Sequence, residues 1–338
     1  MSSAPLIPFE EISRDATWLA QALDPASGQV RLIAMNRASY RAASFLDDRM
    51  LQQPVNAQVA PWPDVEEAVT GDLRSDARWI FHIGHVGSTL ISRLLGELPS
   101  VLALREPRLL RDLALSPAEV RRQYVDAVPR LMSRTFAADE VACVKVTSFA
   151  SEIAPALVPP SERALFLFAR PDHYIPSILA GENSVKELHA LASTRAARMK
   201  TRGVELPPSR NDAELAAGAW ASEMCALEAA ALAMTDRSID WWDFDASLRD
   251  MPGALARIAD FFSFDADQEA ITAIATGPLM KRYSKALEYD YSPTLRSDLI
   301  AEASQRHADD MRGALAMLAA AADKSPLLAS ALQRAGEG

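Results

Sequence analysis

The sequence predicts an α/β fold in three layers: a central, mainly parallel sheet with helices on both faces, a small N-terminal appendage and a helical C-terminal tail. Three observations carry that expectation. Apolar runs at Trp79–Ile83, Val101–Leu104, Val141–Val146, Ala164–Ala169 and Ile239–Phe244 have the length of strands buried on both faces. Helical stretches lie between them, and strands alternating with helices imply a parallel sheet covered on both sides. With 338 residues, 49% of them hydrophobic, the chain can also bury a large core as one elaborated domain.

Taken in order, residues 1–75 read as a small α/β appendage ending in a proline-rich connector. A short helix is expected near Trp18–Leu23, a strand at Gln29–Met35 and a helix around Ala38–Met50. Pro54, Pro61 and Pro63 can continue neither a helix nor a central strand, so this segment should lie over the surface. Residues 76–293 then form the main domain. Leu90, Ile91, Leu94 and Leu95 make the apolar stripe of its first helix, and Glu214–Ala233 reads as a long helix with Trp220 and Met224 on one side. Residues 183–213 are polar and charged, either a lid of helix and loop or a solvated insertion. Residues 294–338 form an alanine-rich helical tail, broken at Pro326 and packed on the domain.

Composition narrows the function. A net charge of -10 argues against a general nucleic-acid binder, although a local basic pocket stays open. Cys143 and Cys225 are too few for a disulfide framework or a cysteine-rich metal site, which suits a cytoplasmic protein. No signal-peptide pattern and no run of about 18 apolar residues is present, so a membrane partner is not expected. The five histidines are scattered without a His-Glu-x-x-His pattern, and no metal is expected.

The chemistry should lie in Gly84-His85-Val86-Gly87-Ser88-Thr89, a small polar turn between an apolar strand and an amphipathic helix. Backbone N–H groups of such a turn and of a helix start converge on one point where a phosphate can sit, and the Ser88 and Thr89 hydroxyls add donors. A triphosphate-binding loop would read G-x-x-x-x-G-K-[ST], whereas no Lys follows Gly87 here. The chain predicts a phosphate cradle without the triphosphate lysine.

His85-Val86-Gly87-Ser88-Thr89-Leu90 resembles the Arg/Lys-Ser-Gly-Thr-Thr-Leu loop of sulfotransferases. Those enzymes use it to hold the 5′ side of 3′-phosphoadenosine 5′-phosphosulfate, or PAPS, in a P-loop-like fold. Glu106 stands seventeen positions after Thr89, the spacing of the catalytic base in tyrosylprotein-type and related bacterial members. The resemblance implies sulfuryl transfer from PAPS to a hydroxyl or amine of a small-molecule or peptide acceptor, without a metal. It makes Glu106 the base. Lys145 would reach the transferred group, and Arg170 of Ala169-Arg170-Pro171-Asp172 would bind the 3′-phosphate. Ser177 would be the second 3′-phosphate ligand, although it follows Arg170 by seven positions where the family has eight. Lys281 and Arg282, in Lys281-Arg282-Tyr283-Ser284-Lys285, occupy the place of the late loop over the adenosine, without the family's Gly-x-Trp-Lys.

His85 is the main departure, because the family has Arg or Lys there. Either it is protonated and serves the leaving phosphate, or it is neutral and shapes a loop that no longer works. His82 alternates with apolar neighbours and reads as a satisfied interior histidine, and Asp240–Asp245 reads as structural. Two other functions stay open: a small-molecule kinase on the same fold, and a P-loop binding protein whose catalysis has lapsed.

Overall fold

The computed structural model describes residues 9–286, 288, 290 and 292–337. Its centre is a five-stranded sheet of order β5-β6-β4-β7-β8, built from β4 (Arg78–His82), β5 (Val101–Arg105), β6 (Val141–Lys145), β7 (Arg163–Phe168) and β8 (Ser238–Asp243). Every neighbouring pair is parallel, and these are the five apolar runs of the sequence. Burial on both faces explains their continuous hydrophobicity, for β5 and nearly all of β4 and β7 are buried.

Side chains that share a face across neighbouring strands lock the sheet. Phe81 pairs in register with Phe166, and Phe166 with Trp241. Their rings meet edge-on at 5.6 and 5.0 Å, beside the stacked Trp79 and Phe81 at 6.3 Å. Such geometry adds about 0.5–1.5 kcal/mol per pair to the burial itself. The helix Pro326–Glu337 of the C-terminal tail reaches this row, with Arg334 at 4.7 Å from the centre of Trp241. Just past β7, the Trp220 indole N–H of the helix Asp212–Ala233 donates to the Ala169 carbonyl at 2.9 Å. That bond ties the long helix to the strand end from which the next loop departs.

The N-terminal region differs from its expectation in three places. Trp18–Leu23 is not helical: it belongs to β1 (Trp18–Asp24), which pairs antiparallel with β2 (Gln29–Ala34), and β2 with β3 (Ala57–Pro61). Tertiary contacts override the helical spacing, because buried Gln21 donates to the Leu46 carbonyl at 3.2 Å and accepts from Arg31 at 2.7 Å. The helix expected over Ala38–Met50 stops at Arg37–Ala42, and a short 3-10 turn follows at Asp48–Gln52. Buried Arg105 takes the carbonyls of Tyr40, Arg41 and Ala43, which a continuing helix would need.

The proline segment, in turn, is no bare connector. Pro61 ends edge strand β3, and Pro63 sits in the first turn of the helix Trp62–Ala68, the two positions where a missing N–H costs nothing. Trp62 and Val65 of that helix are buried. The tail is helical as expected, in segments Pro293–Arg306, Ala308–Ala322 and Pro326–Glu337. Among the described residues no helix is long and apolar enough to cross a membrane.

Candidate active site

The chain leaving the C-terminal ends of β4, β5, β6 and β8 encloses a cavity of about 830 Å³. Parallel sheets place their ligands there, because the loops after the strands converge beyond that edge. Arginine and lysine outnumber aspartate and glutamate along its lining, although the whole chain carries a net -10. The cavity is thus the local basic pocket that the overall charge leaves room for.

After β4 the backbone turns sharply, with Gly84, His85 and Gly87 in the left-handed region at φ 81, 56 and 61°. Gly87 caps the helix Ser88–Leu95, so the free N–H groups of that helix open at the end of the turn. Glycine at 87 is required on two grounds. An added Cβ would lie 1.9 Å from Phe244 Cζ, and the conformation itself disfavours a side chain. Ser88 and Thr89 are buried and line the cavity.

Glu106 follows β5 directly and Lys145 ends β6. Because Arg105 pairs in register with Lys145, the two side chains stand together. The Glu106 N–H donates to the Lys145 carbonyl at 2.7 Å, and the Lys145 ammonium donates to Glu106 Oε1. Arg49 approaches Oε2 at 3.4 Å while lying 3.3 Å over the ring of Phe45. Glu106 has φ 55°, a left-handed conformation that is uncommon for a non-glycine residue. Its partners are Lys145 and Arg49 rather than the neighbouring arginines Arg105, Arg108 and Arg111. Lys145 is 1% exposed, so it does not reach out to bulk water; burial lowers its pKa and Glu106 opposes that shift.

His82 is only half satisfied, contrary to the expectation from its apolar neighbours. Its Nδ1 accepts the Gly84 N–H at 3.0 Å, whereas Nε2 is buried without a hydrogen-bond partner, 4.0 Å from Glu106 Oε1. Burial, then the charges of Lys145 and Lys285, pushes its pKa well below the usual value. His85 is also held neutral, down to about 3, by burial and then by Lys285, Arg195 and Arg296.

The opposite wall comes from two helices. Arg195 of Glu182–Thr201 is buried and pairs with Glu223 at 3.3 Å, and Arg296 of Pro293–Arg306 grips Asp245 at 2.9 and 3.4 Å. The stretch expected to be a lid or an insertion is therefore in large part a helix that lines the cavity through Ser184, Glu187, Leu191 and Arg195. Asp243 accepts the N–H groups of Asp245 and Ala246, and so fixes the turn that sets Phe244 against Gly87.

Of the residues singled out from sequence, Gly84, His85, Gly87, Ser88, Thr89, Glu106, Lys145, Ser177 and Arg282 line this cavity. Val86 is buried behind the loop. Arg170 lies outside the lining and pairs with Asp172 at 3.1 Å, and Lys281 is exposed and also outside it. Sequence reasoning missed Arg49, Arg195 and Arg296 as lining residues, since none belongs to a local motif. Phe244 was within reach, because it follows Asp243 at a strand end.

The chain is similar to sulfotransferases of solved structure. A sulfotransferase domain from the curacin biosynthetic pathway matches at 12% identity, with 67% of this chain and 87% of that one covered and a TM-score of 0.41. A sulfotransferase domain from the Synechococcus PCC 7002 olefin synthase matches at 14% identity over 65% and 82%, with a TM-score of 0.37. The mouse sulfotransferase SULT7A1, complexed with PAP, matches at 11% over 78% and 90%, with a TM-score of 0.41. No family model matches the chain, and no curated protein does.

Proposed function

We propose that the protein transfers a sulfuryl group from PAPS to a hydroxyl or amine of a small-molecule or peptide acceptor, and that it works in the cytoplasm. The observation that carries this reading is the Lys145–Glu106 pair, held at the ends of adjacent strands in the same cavity as the Gly84–Thr89 turn. A cation for a transferred anion, a carboxylate for a proton and a helix start for a phosphate are what such a transfer requires. The residues fit the donor: no side chain caps the start of Ser88–Leu95 by a hydrogen bond, so its first N–H groups are available to a phosphate.

PAPS supplies the sulfuryl group and carries away the electron pair of the broken sulfur–oxygen bond as adenosine 3′,5′-bisphosphate. The chain does the rest. The N–H groups at the start of Ser88–Leu95, with the Ser88 and Thr89 hydroxyls, hold the 5′-phosphate. Lys145 holds a sulfuryl oxygen, and Glu106 takes the proton from the acceptor as its oxygen or nitrogen bonds to sulfur. Ser177 and Arg282, the latter released from Asp290, bind the distal phosphate, with Lys285 also on the lining. Arg170 and Lys281 join them only after their side chains turn toward the cavity.

One observation favours a second reading. His85 is held neutral where the resemblance places a fixed cation, which suits a nucleotide-binding protein without transfer. Thermal shifts separate the possibilities. Stabilisation by adenosine 3′,5′-bisphosphate without magnesium, together with sulfuryl transfer from PAPS, supports the first. Stabilisation without transfer supports the second, and stabilisation only by magnesium with ATP or GTP would point to a kinase and overturn both.

A further inference from the structure

We infer that His82 is a positioning residue for Glu106: its Nε2–H is the neutral donor that holds Glu106 Oε1 once Lys145 turns to a bound anion. The inference rests on the sulfuryl-transfer reading for its consequence, and on His82 itself for its geometry.

The tautomer follows from one hydrogen bond. His82 Nδ1 accepts the Gly84 N–H at 3.0 Å, so the neutral ring carries its proton on Nε2. Both burial and the neighbouring Lys145 and Lys285 oppose a second proton. The result is a fixed donor, 5% exposed and without a well-formed hydrogen bond, lying between the Val146 carbonyl and Glu106 Oε1 at 4.0 Å. A buried donor without a well-formed hydrogen bond is destabilising, and a small movement of Glu106 would satisfy it.

Oε1 is at present occupied by Lys145, and Oε2 faces Arg49. An oxygen that holds an ammonium is not open to an acceptor. A negatively charged group on the Gly84–Thr89 turn attracts Lys145 away. Glu106 then loses its main restraint, and a neutral donor can orient it without adding charge. The same ring also bonds the turn through Gly84, so His82 links the anion-binding backbone to the base. The other groups around Glu106 do not offer this, because Arg49 and Lys145 are cations and the Val146 carbonyl, which also faces the ring, is a competing acceptor.

The test reads the ring directly. In protein labelled with 15N-histidine, His82 resonances are assigned by their loss in His82→Gln. They are expected to show a neutral ring protonated on Nε2, whose proton moves downfield on addition of adenosine 3′,5′-bisphosphate or inorganic pyrophosphate. The shift should be lost in Glu106→Ala. A ring protonated on Nδ1, a charged ring at neutral pH, or a resonance indifferent to Glu106→Ala would overturn the assignment, the last by making Val146 the partner.

In transfer assays, His82→Leu is expected to lower kcat on the order of 100-fold with little change in KM for PAPS, and His82→Gln to recover much of the loss. A merely structural role would instead raise KM and weaken bisphosphate binding, with no recovery by Gln. Failure of the wild-type protein to transfer sulfuryl would defeat the functional reading alone. The pyrophosphate response of the His82 proton would still decide the inference.

Discussion

Phe244 occupies the space that a side chain at Gly87 would need, its Cζ lying 1.9 Å from where that Cβ would be. The contact sets the end of β8 against the turn after β4, so one aromatic ring fixes how closely the two segments approach. Gly87→Ala must meet both the ring and the φ of 61°. A non-glycine residue there costs about 1–2 kcal/mol for the conformation, and overpacking adds about 1–3. The expected result is a Tm lowered by several degrees and loss of the shift produced by adenosine 3′,5′-bisphosphate. In a double-mutant cycle, Phe244→Ala should cost less stability in the Gly87→Ala background than in the wild-type protein, without restoring binding; restored binding would show that the ring alone matters.

Glu106 and Lys145 should separate binding from chemistry. Glu106→Gln is expected to bind adenosine 3′,5′-bisphosphate normally and to lose transfer by roughly 10²–10⁴-fold, the usual contribution of a general base. Lys145→Met should lose both affinity for the donor and rate. Stability should respond in the opposite order. Removing the carboxylate leaves an ammonium that is 1% exposed without its partner, whereas removing the ammonium leaves Glu106 beside Arg49. Chemical denaturation of the two variants tests this, and full activity in Glu106→Gln would end its assignment as the base.

The sheet was legible because burial on both faces writes itself as uninterrupted apolar runs, and all five became strands. The Trp18–Leu23 segment was not, since its spacing fits a helix and only Gln21, bonded to Leu46 and Arg31, reveals a strand with two buried faces. In the site, Gly84–Thr89 and Glu106 could be found because a turn and a strand end are local in sequence. Arg195 and Arg296 could not, for each reaches the cavity from a helix whose position is set by distant partners, Glu223 and Asp245. His82 was misjudged because its alternation with apolar residues reports burial and is silent on whether each ring nitrogen is paired.

His85 makes the stability depend on acid. Its folded pKa, about 3, lies below the unfolded value near 6.5, so the unfolded chain binds the extra proton between them. Stability is therefore complete above about pH 6.5 and falls as pH drops toward 3, by up to about 1.4 kcal/mol per pH unit for this group. Urea denaturation of His85→Asn should show a shallower decline, with the remainder from His82, which is shifted in the same direction. A bound phosphate favours the charged ring. Binding of adenosine 3′,5′-bisphosphate at pH 5.5 should accordingly take up protons, measured by calorimetry in buffers of different ionisation enthalpy. No uptake in the wild-type protein would leave His85 as a neutral shaping residue.

Arg93 makes the final test, because it joins the helix after the Gly84–Thr89 turn to the late basic segment. Buried in Ser88–Leu95, it donates to the Ser284 carbonyl at 2.8 Å and to Ser44 Oγ at 2.7 Å, with weaker bonds to the Arg41 and Ala42 carbonyls. Ser284 lies between Arg282 and Lys285, both of which line the cavity. Arg93→Leu keeps most of the apolar stem but frees that segment and leaves its carbonyl acceptors to water, at a cost of about 1–3 kcal/mol. Amide hydrogen exchange should rise at residues 281–286 while the Gly84–Thr89 turn stays protected. The affinity for adenosine 3′,5′-bisphosphate should fall further than that for inorganic pyrophosphate, since only the bisphosphate reaches both the turn and the late segment. Equal losses for the two ligands would place Arg282 and Lys285 outside the nucleotide site and confine it to the turn after β4.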